Sequence, residues 1–250
     1  MSLPVPQYLE DILDTVRDQD GGETADYIEI LKNADPDKLG LALCTTAGHL
    51  YAVGDCDYEF SIQSISKPFV YALALDIYGS AEVHKYVGVE PSGEAFNELS
   101  LDDETGRPAN PMINAGAITV DQLIGGPTIP VEDRVEKIRE YFSRLAGRHL
   151  RVDTRIFESE MAGADRNMAI AHMLREAGVI TDAANDAVSS YISQCSVLVT
   201  VKDLAVMAAT LANGGTQPVT GEKILTAEAC RVTQAVMVSA GMYDASGRWM

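Results

Sequence analysis

The chain has 250 residues, 46% hydrophobic and 22% charged, a balance that fits a globular fold and excludes a disordered or fibrous chain. Its formal net charge of −18 repels phosphate backbones and anionic bilayer surfaces, so neither nucleic-acid binding nor membrane association is expected. The N-terminal stretch M-S-L-P-V-P-Q-Y-L-E-D lacks the basic and apolar regions of a secretory signal. No apolar run approaches the ~20 residues of a membrane helix, so a cytoplasmic protein is expected. Tyr8, Leu9, Ile12, Leu13 and Val16 recur at helical spacing behind Pro4 and Pro6, which predicts an amphipathic first helix. Residues 39–55, L-G-L-A-L-C-T-T-A-G-H-L-Y-A-V-G-D, read as an antiparallel hairpin turning near residues 46–48. Residues 69–78 form a strongly apolar helical pattern ended by Gly79.

Residues 88–113 are rich in Pro, Gly, Asn and acids and show no period, so they read as a long loop of the kind that is functional or disordered. Helical patterns then follow at 115–124, 131–145, 166–176, 183–191, 201–212 and 227–238. A lone hairpin is not stable, and no partner strand is evident downstream. The expectation is therefore an α+β protein, one catalytic domain over residues 1–250, whose remaining strands lie beyond Met250. The four cysteines (Cys44, Cys56, Cys195, Cys230) show no C-x-x-C pair, and the first, third and fourth sit in apolar stretches, which suits a reducing compartment. The four histidines form no ligand spacing, so no metal site is expected.

The segment F-S-I-Q-S-I-S-K-P-F-V, residues 60–70, holds Ser64 three residues before Lys67, with Pro68 next. Residues i and i+3 share a helix face, and proline is tolerated only in a first turn, so the helix should begin near Ser64. That start places the Ser64 hydroxyl at the positive end of the helix dipole. Ser61 precedes the start and Ser66 points elsewhere, so neither is a candidate. A serine nucleophile needs a base, and a lysine serves once burial removes its proton. Phe60, Ile65, Phe69 and Val70 are the apolar neighbours expected to do this. Spacing alone also allows Ser64 as an N-cap and Lys67 as a snorkelling surface residue.

The same segment resembles the nucleophile segment of the serine-dependent glutaminases, relatives of the S-x-x-K β-lactamases and penicillin-binding proteins. E-P-S-G-E-A-F-N (90–97), R-P-A-N-P-M-I-N-A-G-A-I (107–118), F-E-S-E and R-N-M-A (157–160, 166–169), Y-I-S-Q-C-S-V (191–197) and G-M-Y-D-A-S-G (241–247) resemble that family in the same order. The resemblance implies a β-lactamase/transpeptidase-like fold, an antiparallel sheet flanked by helices plus a mostly helical lobe. It implies L-glutamine as substrate, no cofactor, no metal and a homo-oligomer, dimer or tetramer. Ser64 would be the nucleophile, Lys67 its base and Tyr243 the proton donor to departing ammonia. Asn114, Glu160, Asn167 and Tyr191 would hold the substrate, with Tyr27 at the pocket edge. Such chemistry suits glutamine: Glu160 can pair its α-ammonium, and asparagine amides can donate to its α-carboxylate. Without the resemblance Glu160 reads as solvated, Asn114 and Asn167 as helix caps, and Tyr191 and Tyr243 as core aromatics. Family members continue into a K-S-G-type strand that supplies a second oxyanion donor, which would leave the Ser64 N–H alone in this chain. The alternatives are a β-lactamase or D-Ala-D-Ala peptidase, which normally carries a secretory signal, and a non-catalytic glutamine-binding module.

Overall fold

The structure, a computed structural model, describes residues 4–19, 21–26, 28–102, 104–126 and 128–250. Helix α1 (Val5–Val16) follows Pro4 at its N-cap and buries Leu9 and Leu13, which seat it on the hairpin. A single turn, α2 (Glu29–Lys32), precedes the hairpin of β1 (Gly40–Cys44) and β2 (Leu50–Gly54). The strands are antiparallel, in register from Gly40↔Gly54 to Cys44↔Leu50. Gly48 closes the turn at φ 84°, and a Cβ there would stand 2.5 Å from the Pro218 carbonyl oxygen. Only glycine suits both demands.

Two further strands were not legible. β3 (Phe60–Ser61) pairs antiparallel with β4 (Leu198–Val199), extended by an Ile62 N–H to Val197 O bond of 2.8 Å. A downstream strand thus exists, but it pairs with β3 and not with the hairpin. It is two residues long and buried on both sides, too short to show a period of two. The antiparallel strands fall into two two-stranded pieces flanked by helices, the expected α+β class.

After β3, a 3-10 turn over Gln63–Ile65 runs into α3 (Ser66–Tyr78), and α4 (Ser80–Val83) follows it. The chain then continues through α5 (Asn114–Leu123), α6 (Val131–Ala146), α7 (Thr154–Ala162), α8 (Asp165–Glu176), α9 (Ala184–Cys195), α10 (Val201–Ala212) and α11 (Ala227–Ala240). A second 3-10 turn, Tyr243–Ala245, leads into the short α12 (Ser246–Trp249). The periodic helices fall where the pattern puts them because their ends are chemically marked. Gly147 takes a left-handed cap after α6, and Thr200 and Asp203 form a capping box at α10. Helix α7 has no evident period, since it buries only Ile156, but Asp153 caps it through the N–H groups of Arg155 and Ile156.

Two apolar cores meet along α5. Val120 and Ile124 join the core built around α3, α6, α10 and α11, while Ile113, Ala115, Ala117 and Ile118 join the one built with α8 and α9. The N-terminal ends of α3 and α5 therefore open at one place. The irregular segment 88–113 is tied down rather than loose: Gly88 N–H donates to Pro108 O at 2.8 Å, and Asn114 N–H to Phe96 O at 2.8 Å. Asn110 Nδ2 donates to Glu90 O at 2.9 Å. No helix among the described residues is long and apolar enough to cross a membrane.

Candidate active site

The Ser64 segment is a tight turn entering a helix. Pro68 is the third residue of α3, inside the first turn as its chemistry demands, and Ser64 lies in the preceding 3-10 turn. No carbonyl among the described residues accepts from the Ser64 N–H, so it is one of the orphan donors of a helix start. Gln63 holds φ 51° and Tyr243 φ 52°, each a left-handed conformation costing a non-glycine residue ~1–2 kcal/mol. Strain of this kind concentrates at functional sites.

Lys67 is buried, 2% exposed. Its Nζ donates to Asn114 Oδ1 at 2.7 Å and lies 5.7 Å from the Phe96 ring centroid and 5.2 Å from that of Tyr243. It enters no salt bridge among the described residues. Burial therefore lowers its pKa from 10.5 to about 7, with Cys195 opposing. The apolar walls differ from those expected: Phe96 and Tyr243 flank the amine, while Ile65 is 49% exposed. Phe96 comes from the aperiodic 88–113 segment, which explains why that stretch is anchored. Ser64 and Lys67 stand on one continuous helical segment, yet no hydrogen bond links their side chains among the described residues. Such bonds often tighten only with substrate bound.

The other expected residues converge from separate helices. Asn114 opens α5 with Ile113 as the N-cap, so its side chain is not a cap. Its Oδ1 also accepts from Tyr191 OH of α9 at 3.4 Å, and its Nδ2 donates to Asn167 Oδ1 of α8 at 2.9 Å. Asn167 also lies within its helix rather than capping it, and its own Nδ2 makes no hydrogen bond among the described residues. Glu160, half-buried on α7, accepts from Gln63 Nε2 at 2.5 Å. Burial raises its pKa, with the Gln63 bond opposing. Burial likewise lifts the Tyr191 hydroxyl well above its usual range. Tyr243 packs on Phe96 with ring centroids 5.4 Å apart. Tyr27 lies outside the described residues. The result is a cluster in which Lys67, Asn114 and Tyr191 are buried and Ser64, Glu160, Asn167, Phe96 and Tyr243 are half-buried.

Gln63 and Phe96 were not singled out from the sequence. Gln63 adjoins Ser64 and also donates to Ser61 Oγ at 2.9 Å; a neutral residue inside the motif carries no signal of its own. Phe96 stands in the E-P-S-G-E-A-F-N block, which marked its neighbourhood but not its ring.

The model of the glutaminase family matches residues 22–250. The chain belongs to the glutaminase family. The glutaminase of Corynebacterium glutamicum is 63% identical over 250 residues, covering all of this chain and 60% of the relative. That of Corynebacterium efficiens is 60% identical and is covered to 59% of its length. The chain thus spans about three-fifths of these glutaminases. Among solved structures, Mglu in its glutamate form superposes with a TM-score of 0.95 at 53% identity, over 100% of this chain and 57% of that one. The probable glutaminase ybaS gives 0.93 at 35% identity, over 98% and 79%. The architecture is accordingly the β-lactamase/glutaminase-like one, an α+β fold with antiparallel pairing and a helical lobe.

In chemical terms the cluster offers a hydroxyl at a helix start, a buried amine with no carboxylate partner among the described residues, and one half-buried carboxylate. It can deprotonate an alcohol near neutral pH and bind a small zwitterion by its charged end.

Proposed function

We propose that the protein hydrolyses the side-chain amide of L-glutamine to L-glutamate and ammonia, with residues 1–250 acting as one catalytic unit. The observation that carries this reading is Lys67: a buried amine with no carboxylate partner among the described residues, one turn from Ser64, within a chain of the glutaminase family. Ser64 Oγ forms a bond to the amide carbon while its proton passes to Lys67 Nζ. The developing oxyanion lies at the Ser64 N–H. The C–N bond then breaks, and ammonia leaves with a proton from the Tyr243 hydroxyl, which takes the Lys67 proton in return and leaves Nζ neutral again. Water attacks the γ-glutamyl ester, Lys67 accepts the water proton and passes it to Ser64 Oγ, and Ser64 leaves as the alcohol. Glu160 pairs the α-ammonium of glutamine, and the free Nδ2 of Asn167 donates to its α-carboxylate. Asn114 acts differently from the simple carboxylate donor read from its residue type. Its Oδ1 orients the Lys67 amine, so that the lone pair of neutral Nζ is available to Ser64.

Four unpaired cysteines fit the cytoplasmic setting that goes with this reading. A homo-oligomer, also part of it, is tested by light scattering on the eluted protein. The function is tested by measuring ammonia release from L-glutamine by the full-length protein. Ser64→Ala should lower kcat by at least ~10³-fold with an unchanged melting curve; wild-type turnover in that variant would refute the mechanism. Calorimetric glutamine binding without turnover would instead indicate a binding module, and nitrocefin hydrolysis alone a β-lactamase.

A further inference from the structure

The turn that carries Ser64 is held in part by groups outside the candidate site. Gln63 has φ 51°, although glutamine, unlike glycine or asparagine, has no tendency toward that region. Its carbonyl accepts from the Ser66 N–H and, at 2.6 Å, from Ser66 Oγ. Ser66 Oγ in turn accepts from Gln194 Nε2 of α9 at 2.8 Å. Ser66 is 0% exposed and Gln194 2%. A hydroxyl has one proton; with the Gln194 amide donating into it, that proton is directed at the Gln63 carbonyl. Gln194 Oε1 is itself buried without a partner. A half-satisfied buried amide is costly, and an apolar side chain would fill the same volume without that cost. The amide is therefore accounted for by what its Nε2 holds. Beyond Gln63 the same turn is fixed by its side chain, on Glu160 and Ser61.

We propose that Ser66 and Gln194 are positioning residues, whose buried relay from amide through hydroxyl to the Gln63 carbonyl locks the left-handed turn that sets the direction of the Ser64 hydroxyl and N–H. This rests on Ser64 being the nucleophile of the proposed reaction. Without the relay, Gln63 relaxes toward negative φ and rotates Ser64 away, whereas Glu160 and Asn167 keep their own helices. The loss falls on the acylation step, not on glutamine binding.

The test uses Ser66→Ala, Gln194→Met and the conservative Ser66→Cys, which keeps a weak donor, in the full-length protein. Three readouts are taken: kcat and KM for glutamine, the rate of Ser64 labelling by a fluorophosphonate probe mapped by mass spectrometry, and thermal melting by circular dichroism. Expected are a roughly 10- to 100-fold fall in kcat and in labelling rate for Ser66→Ala and Gln194→Met, little change in KM, cooperative melting, and partial recovery in Ser66→Cys. If the wild type labels at Ser64 but releases no ammonia from glutamine, the glutaminase reading falls and the labelling rates alone judge the relay. Equal labelling of wild type and Ser66→Ala, absence of Ser64 labelling in the wild type, or loss of cooperative melting in Ser66→Ala would each overturn the positioning role.

Discussion

Lys67 is the residue whose chemistry and stability pull in opposite directions. Burial lowers its pKa from 10.5 to about 7, so between those values the unfolded chain binds a proton that the folded protein has shed. Below about pH 7 both states are protonated and the cost of burying the ammonium is full; stability rises as pH climbs from about 7 toward 10.5. Two results are expected. The acid limb of kcat/KM for glutamine should show an apparent pKa of about 7, measurable from ammonia release between pH 5 and 9. Lys67→Met should abolish turnover yet melt ~2–4 °C higher at pH 6, a gain that shrinks by pH 10. Residue type, spacing and Pro68 marked Ser64 and Lys67 as a candidate pair, which resemblance set above a helix cap and a surface lysine. Asn114, Glu160, Asn167, Tyr191 and Tyr243 stood out only through resemblance, because each alone has an ordinary structural role. Gln63 was not legible at all, since its part depends on a backbone angle and a partner 97 residues away.

At the scale of elements, α5 brings Asn114 to Lys67, and Gly116 lets it do so. A Cβ at Gly116 would lie 1.9 Å from the Asn110 carbonyl oxygen, in a segment that Asn110 also organises by accepting from Met112 N–H at 3.0 Å. The clash is with backbone, which cannot swing aside. Gly116→Ala should therefore destabilise the protein by ~3 kcal/mol or more, read as a lower urea midpoint, and displace Asn114 from Lys67. The periodic helices were legible because their apolar faces repeat and their ends carry caps. Helix α7 and strands β3 and β4 were not: one buries a single residue, the others are two residues long, and no pattern can be read from so few positions.

At the scale of the whole molecule, a buried charge cluster joins the two cores. Arg134 of α6 is 1% exposed. Its Nη1 donates to Asp182 at 2.6 Å and lies 3.7 Å from Asp121 of α5. Burial raises the Asp121 pKa to about 7, with Ser190 and Arg134 opposing. The neighbouring Gln122 accepts from the N–H groups of Thr181 and Asp182 at 2.7 and 2.8 Å, so the end of α5 is bolted to the approach to α9. Removing the cation leaves the carboxylates buried without their partner. Arg134→Met should lower stability by ~3–5 kcal/mol in urea unfolding at pH 8. The loss should be smaller at pH 5, where Asp121 holds its proton.

The sequence by itself determined the class of the fold, the principal helices and the hairpin. It also marked the Ser64–Lys67 segment as a candidate and set the acidic balance that disfavours nucleic acid, because these depend on local period, helix-start chemistry and summed charge. Tertiary structure alone decided what makes the serine and lysine usable. The walls around Lys67 come from Phe96 and Tyr243, its hydrogen-bond acceptor from α5, and the anchor of the Ser64 turn from α9. Burial, and with it the proton affinity of an amine, is set by residues brought together across nearly the whole chain, and no local pattern encodes it.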